Sequence, residues 1–314
     1  MSSADETPST TDILAVADAP HKENKLPLSG AEFSLFEKLC ERAGVPRPPL
    51  IPSWETPPPK YIRPSPDVET YRANLFKEIE KRAPKIVLAL GAAAAYLLTG
   101  DQKIKDSRGY LTEANGVKIL PTYHPRTVLT DYGLRLPCIF DLRKLARHAN
   151  SRPISRPDRR VHIVEVLEDV RRTHDLLLAT GSDLTVDIET HIDIQQISTI
   201  SFSHCPQEAY VIPLLRWAPL RSVWTEEEET IIFAWIAKIL AFPVRHIFHH
   251  AAFDLSHLHN YGIHATGVDD TMLMAHSQQP EMSKSLGFLA SLVSEERQWK
   301  KMRTRAKDEE KAEE

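Results

Sequence analysis

Asp187 and Glu189 are two carboxylates spaced two residues apart in the run Leu184-Thr185-Val186-Asp187-Ile188-Glu189-Thr190. Val186 and Ile188 alternate with the acids, which predicts a strand carrying both carboxylates on one face. Paired carboxylates on a rigid strand offer oxygen donors to a hard cation, Mg²⁺ or Mn²⁺. A solvated strand end explains the same triplet without any chemistry. A second cluster follows in Phe248-His249-His250-Ala251-Ala252-Phe253-Asp254-Leu255-Ser256-His257-Leu258. Arg245 to Phe248 reads as a short strand, and Ala251 to Tyr261 as a helix stopped at Gly262. Asp254 stands one helical turn after His250 and would add a third carboxylate.

The order of these features is a strand with Asp-x-Glu, a helix, a strand, then a helix with Phe-Asp. It resembles the 3′–5′ exonuclease domains of the RNase H-like class, nearest to the proofreading domain of family A DNA polymerases and especially the phage-type ones. In that resemblance Asp187 and Glu189 match the first motif and Phe253-Asp254 the second, with His250 where the family carries Asn. Asp269 to His276, Pro280-Glu281 and Lys284 to Ala290 match the segment that follows. The third motif, Tyr-x-x-x-Asp or His-x-x-x-Asp, has no clear counterpart. Asp308 is the available acid, but Thr304 occupies the aromatic position, and a charged tail explains Asp308 as well.

The resemblance implies hydrolysis of the terminal phosphodiester by two divalent metals about 3.5–4 Å apart. It implies that Asp187 bridges both ions, Glu189 supports the nucleophile side and Asp254 the leaving-group side. His250 and Phe253 would support the site. The implied substrate is a single-stranded or frayed DNA 3′ end.

The N-terminal half has its own pattern. Asp12 to Ala17 and Pro84 to Gly91 read as buried strands. Phe33 to Ala43, Val68 to Arg82 and Ala92 to Leu98 read as helices, and Pro46 to Pro66 as irregular chain. Strands alternating with helices predict a largely parallel sheet. Ala17-Asp18-Ala19-Pro20-His21, Pro84 to Gly91, Arg108-Gly109 and the run Pro121-Thr122-Tyr123-His124-Pro125 resemble, in order, the motifs of the uracil-DNA glycosylase superfamily, nearest to its family 4. The resemblance would make Asp18 the group that activates water and His124 a donor to the uracil oxygen. It departs from the family at Leu28, where the family stacks an aromatic on uracil, and near Ser53, where the uracil-reading Asn is missing. The cluster cysteines are also absent, so no iron–sulfur cluster is expected. This pocket reads as degenerate and non-excising.

Composition bounds the rest. The chain has 314 residues, 42% hydrophobic and 26% charged, with a net charge of −4, so contact with DNA must come from local basic patches rather than a global field. Cys40, Cys138 and Cys205 are scattered with no Cys-x-x-Cys, which points away from a thiol–metal site or disulfide framework and toward a reducing, cytoplasmic setting. No run has transmembrane length, so no membrane association is expected. His246, His249, His250, His257, His259 and His264 crowd one region without zinc-ligand spacing. Thr225 to Glu229 reads as a capping box opening a helix with Ile231, Trp235, Ile239 and Leu240 on its apolar face.

The expected organisation is α/β in two domains: a parallel-sheet glycosylase-like α/β/α domain over residues 11–149, a Pro/Ser/Arg linker over 150–160, an RNase H-like exonuclease domain with a mixed sheet over 161–300, and a charged tail over 301–314. The leading functional expectation is a metal-dependent proofreading-type 3′–5′ exonuclease from a split or truncated DNA polymerase, with a separate polymerase chain as candidate partner. The alternatives are a catalytically incomplete DNA-binding or polymerase-docking subunit and, more weakly, a uracil-DNA glycosylase.

Overall fold

The computed structural model describes residues 9, 12–17, 27, 28, 30–54, 64–101, 103–150, 152–191, 193–217 and 219–298. Asp18 and Asp308 lie outside them. The chain divides into two compact units, Met1–Arg156 together with Gly287–Glu314, and Pro157–Leu286. Among the described residues no helix is long and apolar enough to cross a membrane.

The first unit contains β1 (Ile13–Ala17), α1 (Ala31–Ala43), β2 (Leu50–Pro52), α2 (Pro66–Arg82), β3 (Ile86–Leu90), α3 (Ala92–Thr99), α4 (Ile104–Ser107), β4 (Thr112–Ala114), β5 (Val117–Thr122), α5 (Pro125–Thr130) and α6 (Arg135–Ala149). Its sheet runs β2-β1-β3-β5-β4, parallel except for β4. Every residue of β1 and β3 is buried, because helices cover both faces. Alternation then splits each strand between two cores. Ile13, Ala15, Ala17, Ile86, Leu88 and Leu90 pack with α1 and α6, while Leu14, Val16, Val87 and Ala89 pack with α2 and α3. The result is a three-layer α/β/α unit.

Local signals set the ends of several elements. Gly44 stops α1 in the left-handed conformation. Ser65 caps α2 with Pro66 in its first turn, so that helix starts two residues before Val68. The Pro-rich stretch is not wholly irregular. Leu50–Pro52 adds an edge strand to β1, where a missing proline donor can face away from the ladder.

The second unit contains β6 (Arg160–Ile163), α7 (Leu167–Thr180), β7 (Leu184–Thr190), β8 (Ile197–Cys205), β9 (Glu208–Pro213), β10 (Leu215–Trp217), β11 (Leu220–Ser222), α8 (Glu226–Ala241), β12 (His246–Phe248), α9 (Ala251–Asn260), β13 (Val268–Asp270) and α10 (Thr271–Gln278). Its mixed sheet runs β13-β12-β7-β8-β9-β6. The meander β7-β8-β9 is antiparallel, whereas β12 is parallel to β7, β13 to β12, and β6 to β9. Thr225 forms the capping box of α8 with Glu228. The buried face of α8 is Ile232, Ile236, Ile239 and Leu240, so it is displaced from the expected stripe: Ile231 is exposed and Trp235 only partly buried. Both stripes satisfy helical spacing, and packing against α7 and the sheet decides between them.

α11 (Leu286–Val293) carries its chain into the first unit from Gly287 onward. The buried Lys144 ammonium donates to the carbonyls of Gly109, Ser291 and Ser294, and the Tyr110 hydroxyl donates to the Gly287 carbonyl. Phe288 lies under the Arg108 guanidinium at 4.9 Å. The segment expected as a solvated linker is tied down as well. Ser155 N–H donates to the Glu295 carboxylate, and Arg156 donates to the carbonyls of Glu295 and Leu111. Arg156 is therefore committed to backbone within this unit.

Candidate active site

On β7, Leu184, Val186 and Ile188 are buried while Thr185, Asp187 and Glu189 face outward, the alternation the sequence predicts. The neighbouring strand β12 pairs with β7 only through Leu184 and Thr185. Beyond that point the β12 side of β7 has no strand partner in this ladder, and the chain leaving β12 turns there into α9. His250 makes the turn in the left-handed region, at φ 77°. Helix α9 then returns Asp254 to β7, where its Oδ1 accepts the Ile188 N–H at 3.0 Å. Asp254 is buried, and it bonds the residue that separates Asp187 from Glu189.

The electrostatics match that crowding. Burial pushes Asp254 up to about 6, with a further rise from Asp187, opposed by the Ile188 N–H and by His250. Asp187 reaches solvent, yet the protein packed around its carboxyl desolvates it and raises its pKa, and Glu189 raises it further, against the pull of His249. Like charges are thus held together at a cost that a cation would relieve.

Asp270, at the end of β13, braces the same corner. Its carboxylate accepts from the N–H groups of His250 and Ala251 at the start of α9 and of Met272 and Leu273 at the start of α10. Burial alone would raise its pKa, but these donors outweigh burial and hold it below the usual carboxylate range. One side chain therefore caps two helices.

In the first unit, His124 ends β5 and opens α5. Its Nδ1 accepts the Arg126 N–H at 3.1 Å, which leaves the proton of a neutral ring on Nε2. Gly91 ends the adjacent strand β3, at φ 92°, and a Cβ there would come within 2.9 Å of His124 Cβ. The two motifs thus meet at the carboxyl ends of neighbouring parallel strands, with glycine required by both backbone and space.

Residues 4–143 match the Uracil DNA glycosylase superfamily, and residues 161–312 match a 3′–5′ exonuclease family. The chain thus pairs a uracil-DNA glycosylase superfamily domain with a 3′–5′ exonuclease domain. Among solved structures, the EXD2 exonuclease domain soaked in Mg and dGMP is 18% identical over 43% of this chain and 69% of that one, with a TM-score of 0.29. The same domain soaked in Mg and GMP is 20% identical over 42% and 68%, with a TM-score of 0.30.

In the exonuclease domain the sequence-predicted residues lie on adjoining elements, Asp187 and Glu189 on β7 and Asp254 on α9, bonded to the Ile188 N–H between them. Phe253 is half exposed beside Asp254 and packs against the His257 ring, 4.8 Å between centroids. His250 donates its backbone N–H to Asp270, and its exposed ring lies 6.4 Å from the Phe253 ring, near parallel. The other histidines are engaged separately. His246 bonds the carbonyls of Thr266 and Ile239, His249 bonds Thr271 Oγ1, and His259 lies against His264. Asp270 and His249 are the site residues that motif reading passed over. The available signal for Asp270 was its place as helix cap before Thr271-Met272-Leu273.

The donor set fits hard divalent cations: every candidate ligand is a carboxylate, and two have raised pKa values. The three do not converge on a single point. Among the described residues, ligand atoms of three potential metal-binding side chains lie within 4.8 Å of one another only at His204, Cys205 and Glu208. Carboxylates ringing two ions about 3.5–4 Å apart need a wider spread than one ion does.

In the glycosylase-type domain the aromatic position is lost in a definite way. Leu28 is buried in the core with α1 and β3, and the region where Asn is missing holds buried Ser53 and Trp54, whose ring packs on Tyr71 at 4.9 Å. Arg108 of the Arg-Gly pair is also structural. It is buried and makes a two-point ion pair with Asp141, which Thr122 Oγ1 also bonds at 2.7 Å.

Proposed function

We propose that this chain is a metal-dependent 3′–5′ exonuclease of the proofreading type, acting on single-stranded or frayed DNA 3′ ends in association with a DNA polymerase. The observation that carries the reading is the bond from Ile188 N–H to Asp254, which brings a carboxylate from α9 against the strand bearing Asp187 and Glu189. Asp187, Glu189 and Asp254 would hold Mg²⁺ or Mn²⁺. Two such ions would supply positive charge to the scissile phosphate and lower the pKa of the attacking water. Glu189 serves the nucleophile side and Asp254 the leaving-group side. Phe253, half exposed next to Asp254, offers a face on which the terminal base can stack. The glycosylase-type domain serves as a non-excising DNA-contacting module, consistent with the burial of Leu28.

The alternative is a DNA-binding or polymerase-docking subunit with an incomplete centre. It is favoured by the lack of a clear fourth carboxylate: Asp308 is the available acid for the third motif, and a charged tail explains it as well.

Nuclease activity on 5′-labelled single-stranded DNA with Mg²⁺ or Mn²⁺ separates the two readings. A stepwise ladder that disappears in Asp187→Ala supports the exonuclease. Binding of the DNA without cleavage overturns it in favour of the binding subunit.

A further inference from the structure

The strongest unassigned cluster lies at the tip of the β8–β9 hairpin. His204, Cys205 and Glu208 place one ligand atom each within 4.8 Å of one another, all partly buried. Cys205 pairs directly with Glu208 across the turn Pro206-Gln207, which puts their side chains on one face. His204 would ordinarily point to the other face, since neighbours alternate on a strand. A register irregularity between Phe202 and Cys205 inserts an extra residue and re-aims it. The His204 ring consequently lies 6.1 Å from the Tyr210 ring, near parallel, and Tyr210 shares the face of Glu208.

The surroundings are those of a built site. The Tyr210 hydroxyl donates to Glu208 Oε2 at 3.0 Å and so orients the carboxylate. His162 on β6 stacks on Tyr210 at 4.9 Å, with its Nε2 4.0 Å from Glu208 Oε1. His204 Nδ1 is buried and has no hydrogen-bond partner among the described residues, a costly state for a polar atom.

We propose that His204, Cys205 and Glu208 bind a borderline-soft divalent cation of the zinc class, separate from the carboxylate centre. Imidazole, thiolate and carboxylate in one set match Zn²⁺ and its analogue Co²⁺ rather than Mg²⁺. Tetrahedral bonds of about 2.0–2.3 Å separate ligands by about 3.3–3.8 Å, so atoms already within 4.8 Å of one another need close by no more than about 1.5 Å around the ion. The other thiols do not compete, because Cys40 and Cys138 are buried in the first unit and burial pushes both up to about 12. Three protein ligands leave a fourth position open. The ion would clasp the hairpin tip through Cys205 and Glu208 and hold the bulge that aims His204.

The test is titration of the metal-free, full-length chain with Co²⁺, followed by Zn²⁺. A thiolate-to-cobalt charge-transfer band that Zn²⁺ abolishes is expected in the parent and in Asp187→Ala. The band should be absent in Cys205→Ser, and its half-saturating Co²⁺ concentration should rise at least about tenfold in Glu208→Gln. As a second measurement, Zn²⁺ should slow alkylation of Cys205 in the parent, and a chelator should restore it. Absence of the band in the parent overturns the proposal, as does a band that survives Cys205→Ser. Because Asp187→Ala keeps the hairpin donors, failure here is distinct from failure of the exonuclease reading.

Discussion

Asp254 accepts the backbone N–H of Ile188 at 3.0 Å, so a residue of helix α9 is fastened to the strand position between Asp187 and Glu189. This contact sets the acid of one sequence motif against the strand of the other, across 66 residues. It also separates structural and chemical roles that substitution can test.

Replacing Asp254 by Asn keeps an acceptor for Ile188 N–H and removes the charge, whereas Ala leaves a buried donor unsatisfied. The Ala variant should lose about 1–3 kcal/mol of stability and the Asn variant far less. Both should lose nuclease activity. Denaturant unfolding of the two variants decides the point; equal stabilities would mean that the contact holds nothing in place.

Asp187→Ala should reduce cleavage by more than about a hundredfold, the upper range for losing even an outer partner of a metal site. Its melting temperature should stay level or rise, because the substitution removes like-charge repulsion from an outward-facing strand position. A variant that melts well below the parent would show that Asp187 is structural.

Asp270→Ala removes caps from α9 and α10 together, so it should cost about 1–4 kcal/mol, two caps at about 0.5–2 each. The pH dependence has a definite sign. The folded-state pKa is lowered, so the native state binds fewer protons than the unfolded state in acid. The Asp270 contribution is present above the unfolded carboxylate value, about 3.9, and is lost as pH falls through the folded value. Unfolding measured from neutral to acid pH should therefore show the stability gap between parent and Asp270→Asn closing at the acid end. A constant gap would contradict the assignment.

The glycosylase-type domain should form no abasic sites on uracil-containing DNA, and Leu28→Phe should not restore them. Leu28 sits in a packed core, so the larger ring would cost about 1–3 kcal/mol instead of building a stacking surface. Abasic-site formation by the parent would overturn the degenerate reading.

Much of this molecule was legible as pattern. Alternation in Leu184 to Thr190 specified which side chains of β7 face out, because a strand has a period of two whatever surrounds it. Gly44 and Thr225 marked helix ends because capping is a local reaction between neighbouring residues, whereas Ser65 opens α2 inside the stretch that reads as irregular. The ordered motifs likewise placed Asp187, Glu189 and Asp254 in one class of chemistry. Long-range relations decided the rest. The stripe of α8 that became core depended on its partners, and the pairing of β8 and β9 into the meander with β7 depended on contacts between strands, although both alternate buried and partly exposed positions. The same holds for the Lys144 contacts that take α11 into the first unit, for Asp270 capping two helices, and for the hairpin irregularity that turns His204 toward Cys205. Each joins groups whose attraction falls off within a few ångströms, so it exists only after folding has brought distant parts of the chain into contact.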